Sequence, residues 1–229
     1  YLDKSVSKVV EQYEIKKVFL QTEWTRDELI EESHFPDKID LIKDFDQFLY
    51  SPNDVKTLYE NIPRGFSNFR KKYEKYLSVD DILPIPKPLH FENKIPIDYP
   101  IPSLSDIGFN MFDVHGKSVF KFKGGEINGK TRINDYFFNT KNVSAYKLTR
   151  NGLIGENYSS KFSPWLANGS VSVKYIYNQL KKYESEVDQN DSTYWLYFEL
   201  IWRDFFKYVS MQHKEKFFSR DGIYGYEKQ

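Results

Sequence analysis

Four of the five residues from 159 to 163 are serine or lysine: Ser159, Ser160, Lys161 and Ser163, within YSSKFSPWLANGSVS (Tyr158 to Ser172). Pro164 suits the first turn of a helix, so these hydroxyls and the ammonium gather where backbone N–H groups lack partners and the helix carries a partial positive charge. Such a place can hold a phosphate or pyrophosphate. An ordinary cap with solvated neighbours accounts for the same residues. A second constellation lies in STYWLYFELIWRDFFKYV (Ser192 to Val209), where Glu199, Trp202 and Arg203 share a helix face at i, i+3, i+4. A Glu-to-Arg salt bridge inside the helix is one reading. The other is a cavity in which Arg203 meets an anionic cofactor, Glu199 accepts hydrogen bonds from a polar ring edge and Trp202 offers a stacking surface.

These residues need elements to hold them. Ser163 is expected to cap a short helix ended by Gly169. Ser172 is expected to cap the next, with an apolar stripe through Ile176, Leu180 and Tyr183, and Ser192 a third from Thr193 to about His213. That third helix is apolar nearly all round, which predicts a central, buried position. Upstream, Leu2, Val6, Val9 and Val10 form a helical stripe, and Lys17 to Thr22 is a short apolar run with branched and aromatic members. Thr25 with Glu28 forms a potential capping box for a helix to about His34. Residues 38–50 alternate loosely like another helix and strand. Six prolines between Pro84 and Pro102 forbid regular structure and mark a connector; its isoleucines and aromatics suggest that it lies against a domain surface. The expected organisation is therefore α/β plus all-α: residues 1–80 the back half of a parallel α/β domain, 81–125 a connector, and 126–229 the first part of a helical domain.

Composition narrows the chemistry. The 229 residues are 40% hydrophobic and 18% aromatic, with 18 Tyr and 19 Phe, enough to build a core and to face flat ligands. Lys plus Arg and Asp plus Glu are both 33, so any polyanion site must be a local patch. The absence of cysteine removes thiolate metal sites and disulfides and points to a reducing compartment, and the four histidines show no ligand spacing. No apolar run approaches the roughly 20 residues that span a bilayer. Gly124-Gly125 fits no phosphate-loop pattern and reads as a turn before a helix, while FRKKYEKY reads as a solvated helix face.

Four stretches carry a resemblance. KGGE (Lys123 to Glu126), YKLTRNG (Tyr146 to Gly152), YSSKFSPWLANGSVS and STYWLYFELIWRDFF (Ser192 to Phe206) closely resemble the photolyase/cryptochrome family, with wording similar to its cryptochrome DASH branch. The likeness extends less sharply through FSNFRKKYEKY and the connector back to TEWTRDE. It implies a blue-light-driven flavoprotein that repairs cyclobutane pyrimidine dimers, chiefly in single-stranded DNA, with FAD in the helical domain and 5,10-methenyltetrahydrofolate as antenna near the α/β domain. The resemblance assigns Tyr146, Ser159, Ser160, Lys161, Phe162, Ser163 and Arg203 to FAD, and Glu23 to the antenna pterin. It assigns Glu199 and Trp202 to the flipped dimer and Arg150 to the DNA backbone.

The resemblance also implies that excited reduced FAD supplies the electron, so no side chain here need act as nucleophile or general base. Family members begin with a further strand and helix and continue past Gln229, so an internal fragment is expected. It should bind FAD poorly and be inactive alone, from a parent that is a monomeric lyase in the cytoplasm, an organelle or the nucleus. Two alternatives stay open: a blue-light sensor without repair, and a helical interaction module.

Overall fold

The computed structural model describes residues 2–87, 100–110 and 113–225; the middle of the connector lies outside the described residues. Helix α1 (Leu2–Gln12) leads to β1 (Lys17–Gln21), α2 (Arg26–Glu32) and β2 (Asp40–Asp44). The strands pair in parallel, Lys17 opposite Asp40 and Gln21 opposite Asp44, and α2 lies in the crossover that such pairing requires. Thr25 takes the extended backbone of a cap, but its side chain makes no cap bond, and α2 ends at Glu32, short of His34. The helix expected within residues 38–50 is absent. There the ladder to β1 sets Leu41 and Ile42 against Val18 and Phe19, and this pairing overrides local propensity.

After β2 the chain leaves the sheet and enters the helical core. Phe48, Leu49 and Tyr50 are buried there with Val55 of α3 (Pro52–Leu58) and Phe66, Phe69 and Tyr73 of α4 (Phe66–Tyr76). Ser51 caps α3 by accepting from the Asn53 N–H, with Pro52 in the first turn. In the described residues of the connector, only a 3₁₀ turn at Ser105–Ile107 is regular.

The rest is helical. Gly125, at φ 89°, admits the chain to α5 (Glu126–Asn134), which continues through a π turn at Asp135–Asn139 and a 3₁₀ turn at Asn142–Ala145 into α6 (Tyr146–Thr149). Then come α7 (Ser163–Ala167), α8 (Val173–Glu186) and α9 (Asp191–His213). Gly129 lets α5 approach closely, since a Cβ there would stand 2.5 Å from Val171 Cγ2 and 3.0 Å from the Trp165 ring. Ser172 caps α8 as expected, accepting from the Tyr175 N–H. Two further caps differ from expectation. Phe162 already has right-handed backbone angles, so α7 starts one residue early and Ser163 makes no cap bond. On α9 the cap is Asn190, whose side chain accepts from the Ser192 and Thr193 N–H groups while Thr193 reciprocates; Ser192 instead accepts from the Lys147 N–H. As its apolar circumference predicts, α9 is central, burying Leu196, Leu200, Ile201, Phe205, Tyr208 and Val209 in the core. Among the described residues, no helix is long and apolar enough to cross a membrane.

Candidate functional site

One face of α9 carries Leu196, Glu199, Leu200, Arg203 and Lys207, the i, i+3/i+4 stripe of a helix. This stripe forms one wall of a cavity of about 570 Å³. Tyr146, Ser160, Phe162 and Ser163 complete much of the helical side, and Glu23, Asp46 and Gln47 come from the segments that follow β1 and β2. The volume falls within the roughly 300–1,000 Å³ usual for ligand sites.

Arg203 reaches the cavity with most of its donors unused. Its Nη1 donates to the Gln47 carbonyl at 2.7 Å and faces Asp204 Oδ1 at 3.4 Å, while Nε and Nη2 make no hydrogen bond among the described residues. The hydroxyls of Ser160 and Ser163 are likewise unengaged among the described residues. Behind Arg203, the buried Asp204 accepts from the Leu49 N–H (2.9 Å), the Tyr50 N–H (3.2 Å) and the Tyr73 hydroxyl (2.8 Å). Burial pushes its carboxyl up to about 6, opposed first by Arg203. Thus Asp204 joins α9 to the segment entering from the sheet and fixes the base of Arg203. Lys207 donates to Gln47 Oε1, and burial, aided by repulsion from Arg203, lowers its ammonium to about 8. Glu23 lies beside Gln47 with its carboxyl raised by burial.

The intrahelical Glu199–Arg203 bridge is not formed. Glu199 pairs instead with Arg150, just beyond α6, and the Arg150 guanidinium lies 4.7 Å from the Trp195 ring centroid. Burial raises the Glu199 carboxyl, with Arg150 lowering it. Tyr146 is buried beside this pair, and desolvation pushes its phenol up to about 12. Here a carboxylate, a guanidinium and a phenol meet beside the wall that carries Arg203.

Of the sequence candidates, Glu23, Tyr146, Ser160, Phe162, Ser163, Glu199 and Arg203 therefore line one cavity. Arg150 joins it through Glu199. Ser159 and Lys161 do not line it: the Ser159 carbonyl accepts from Arg132, and Lys161, at φ 62°, places its ammonium 3.6 Å from the Tyr158 ring centroid. Trp202 is stacked on Phe66 at 3.6 Å and 11°, and on Phe206 at 5.3 Å and 23°, outside the cavity lining. At five residues α7 is too short for much of a dipole, so its N-terminus by itself offers little to an anion. Sequence reading missed Asp204, Lys207 and Arg132. Asp204 and Lys207 share α9 with the recognised residues, and a polar group within so apolar a helix was the available signal. Arg132 bonds to groups 24 to 28 residues away, which no local pattern reveals.

Comparison with protein-family models finds no match. Comparison with individual proteins does. Cryptochrome DASH from Gloeobacter violaceus is 36% identical over 230 residues, taking in 97% of this chain and 45% of that protein. Cryptochrome DASH from Danio rerio is 40% identical over 162 residues, 71% of this chain and 31% of the relative. The crystal structure of a Synechocystis cryptochrome superposes with a TM-score of 0.85 at 33% identity, over 100% of this chain and 48% of that one. A class III photolyase from Agrobacterium tumefaciens, at 16% identity and a TM-score of 0.60 over 91% of this chain and 43% of its own, shares the fold. The chain belongs to the photolyase/cryptochrome family, whose membership implies a flavin chromophore. Within that family its similarity is to cryptochrome DASH, and it spans about half the length of the curated relatives it matches.

Proposed function

We propose that the chain supplies the phosphate-facing side of an FAD site in a blue-light flavoprotein of the cryptochrome DASH kind. The whole protein would repair cyclobutane pyrimidine dimers in single-stranded DNA. The observation that carries this reading is the convergence of the unengaged donors of Arg203, Ser160 and Ser163 on one cavity. Such a donor set suits a diphosphate: a planar guanidinium offers paired N–H groups to phosphate oxygens and the hydroxyls add further donors. Phe162, Leu166 and Val171 give the same cavity apolar walls that exclude water. When bound, FAD would supply the light absorption and the transferred electron. Tyr146 and Phe162 confine the ligand, and Asp204 holds Arg203 in place. Glu199 would accept hydrogen bonds from a flipped base after exchanging them for its bond to Arg150, which is free to move to the DNA backbone. Glu23, beside Gln47, would accept from a folate antenna.

A blue-light sensor without repair is the second reading, favoured by two observations: Glu199 is already satisfied by Arg150, and Trp202 turns to Phe66. Two assays separate the readings. Equilibrium dialysis against FAD should show binding that Arg203→Ala weakens by about tenfold or more, the worth of a charge-assisted contact. Absence of any flavin binding contradicts both readings. In a full-length protein carrying this segment, blue light should restore thymines in irradiated oligothymidine. Flavin binding without restoration leaves the sensor.

A further inference from the structure

Arg132, 3% exposed, is the one cation among the described residues that is fully buried, and it does not line the cavity. Four of its five hydrogen-bond acceptors lie on a single loop. Nε donates to the Ser160 carbonyl (3.2 Å), Nη1 to Asn157 Oδ1 (2.8 Å), and Nη2 to the Glu156 (3.1 Å) and Ser159 (3.2 Å) carbonyls. Asp135 Oδ2 stands 3.3 Å from Nη1, and the Phe122 and Tyr136 rings flank the guanidinium with centroids at 4.6 and 4.9 Å. Burial lowers its pKa, partly offset by Asp135.

A rigid fork holding four acceptors on one turn leaves that turn little freedom. Three of the four are main-chain carbonyls, so the backbone turns its acceptors inward to Arg132, while Ser160 and Ser163 line the cavity beyond. The same constraint explains Lys161. A residue with a Cβ does not adopt φ 62° without cost, and it persists because its neighbours are fixed on both sides, Ser160 by Arg132 and Phe162 by the core.

We propose that Arg132 is a positioning residue for phosphate recognition: it sets the turn from Glu156 to Ser160 so that the hydroxyls of Ser160 and Ser163 face the cavity, without itself touching the ligand. The identity of the ligand rests on the flavin reading; the ordering of the loop does not. The test compares the unaltered chain with Arg132→Lys, which keeps the charge but not the fork, and with Asn157→Ala, which removes one acceptor from an exposed position and leaves the core intact.

Amide hydrogen exchange across residues 156–163 should rise by roughly tenfold in Arg132→Lys and less in Asn157→Ala, with protection in α9 unchanged. Affinity for FAD and for ADP should fall by roughly tenfold in Arg132→Lys, while riboflavin, which lacks phosphate, binds as before. Loss of protection in α9 together with the loop, or equal weakening of FAD and riboflavin, would make Arg132 a general structural residue and overturn the proposal. If Arg132→Lys does not fold, Asn157→Ala decides by the same readouts. If the unaltered chain binds neither FAD nor ADP, the flavin reading fails, and loop exchange alone decides whether Arg132 orders the turn: unchanged exchange overturns it.

Discussion

Arg203 and Trp202 are adjacent in sequence and serve different surfaces. Arg203→Ala should weaken flavin binding while Trp202→Ala spares it, because the indole stacks on Phe66 and Phe206 outside the cavity. Trp202→Ala should cost at least about 1 kcal/mol in chemical denaturation, the worth of an aromatic pair beyond its buried area. In a longer protein carrying this segment, a loss of affinity for dimer-containing single-stranded DNA in Trp202→Ala would show that Trp202 also meets DNA. Asp204 gives a pH signature. Its carboxyl is near 3.8 when unfolded and about 6 when folded, so the folded state holds the proton more tightly. The contribution is complete below about pH 4 and lost as pH rises through about 6, a shift worth at most ~3 kcal/mol. Urea midpoints at pH 4 and pH 7 in the native chain and in Asp204→Asn should show this fall in the first and not in the second. A contribution from Asp204 that grows with pH would mean that Arg203, Tyr73 and the two N–H groups outweigh burial.

At the scale of the element, the caps separate local pattern from realised structure. Ser172→Ala and Asn190→Ala should each cost about 1 kcal/mol, whereas Thr25→Ala and Ser163→Ala, whose side chains make no cap bond, should cost less than about 0.5 kcal/mol. Gly129→Ala should destabilise by about 1–3 kcal/mol despite alanine's better helix propensity, because its Cβ would press on Val171 and Trp165. Thermal or urea unfolding reads all five. The helical half was legible because its signals are local: the apolar circumference of α9, Pro164, Gly169, and Ser172 before an apolar stripe. The segment from residue 38 to 50 was not, because its structure comes from pairing with β1 and from burial of Phe48, Leu49 and Tyr50 against α9. The site divides likewise. Motif residues on one helix or one turn could be read from spacing and resemblance, whereas the Arg150–Glu199 pair and the Arg132 cradle join residues far apart in sequence.

The whole molecule presents a cavity between the helical body and the segments that follow the strands, together with exposed apolar side chains. Leu148, Leu153 and Ile154 are each more than four-fifths exposed, and Phe206 is 55% exposed. Exposed apolar side chains promote association. Light scattering should therefore show self-association that rises with protein concentration. The decisive comparison is the ratio of affinities for FAD and riboflavin measured side by side on the native chain. Arg203, Ser160 and Ser163 meet only the phosphate-bearing part of FAD in this account, so FAD should bind at least roughly tenfold more tightly than riboflavin. Equal affinities would contradict a phosphate-facing cavity.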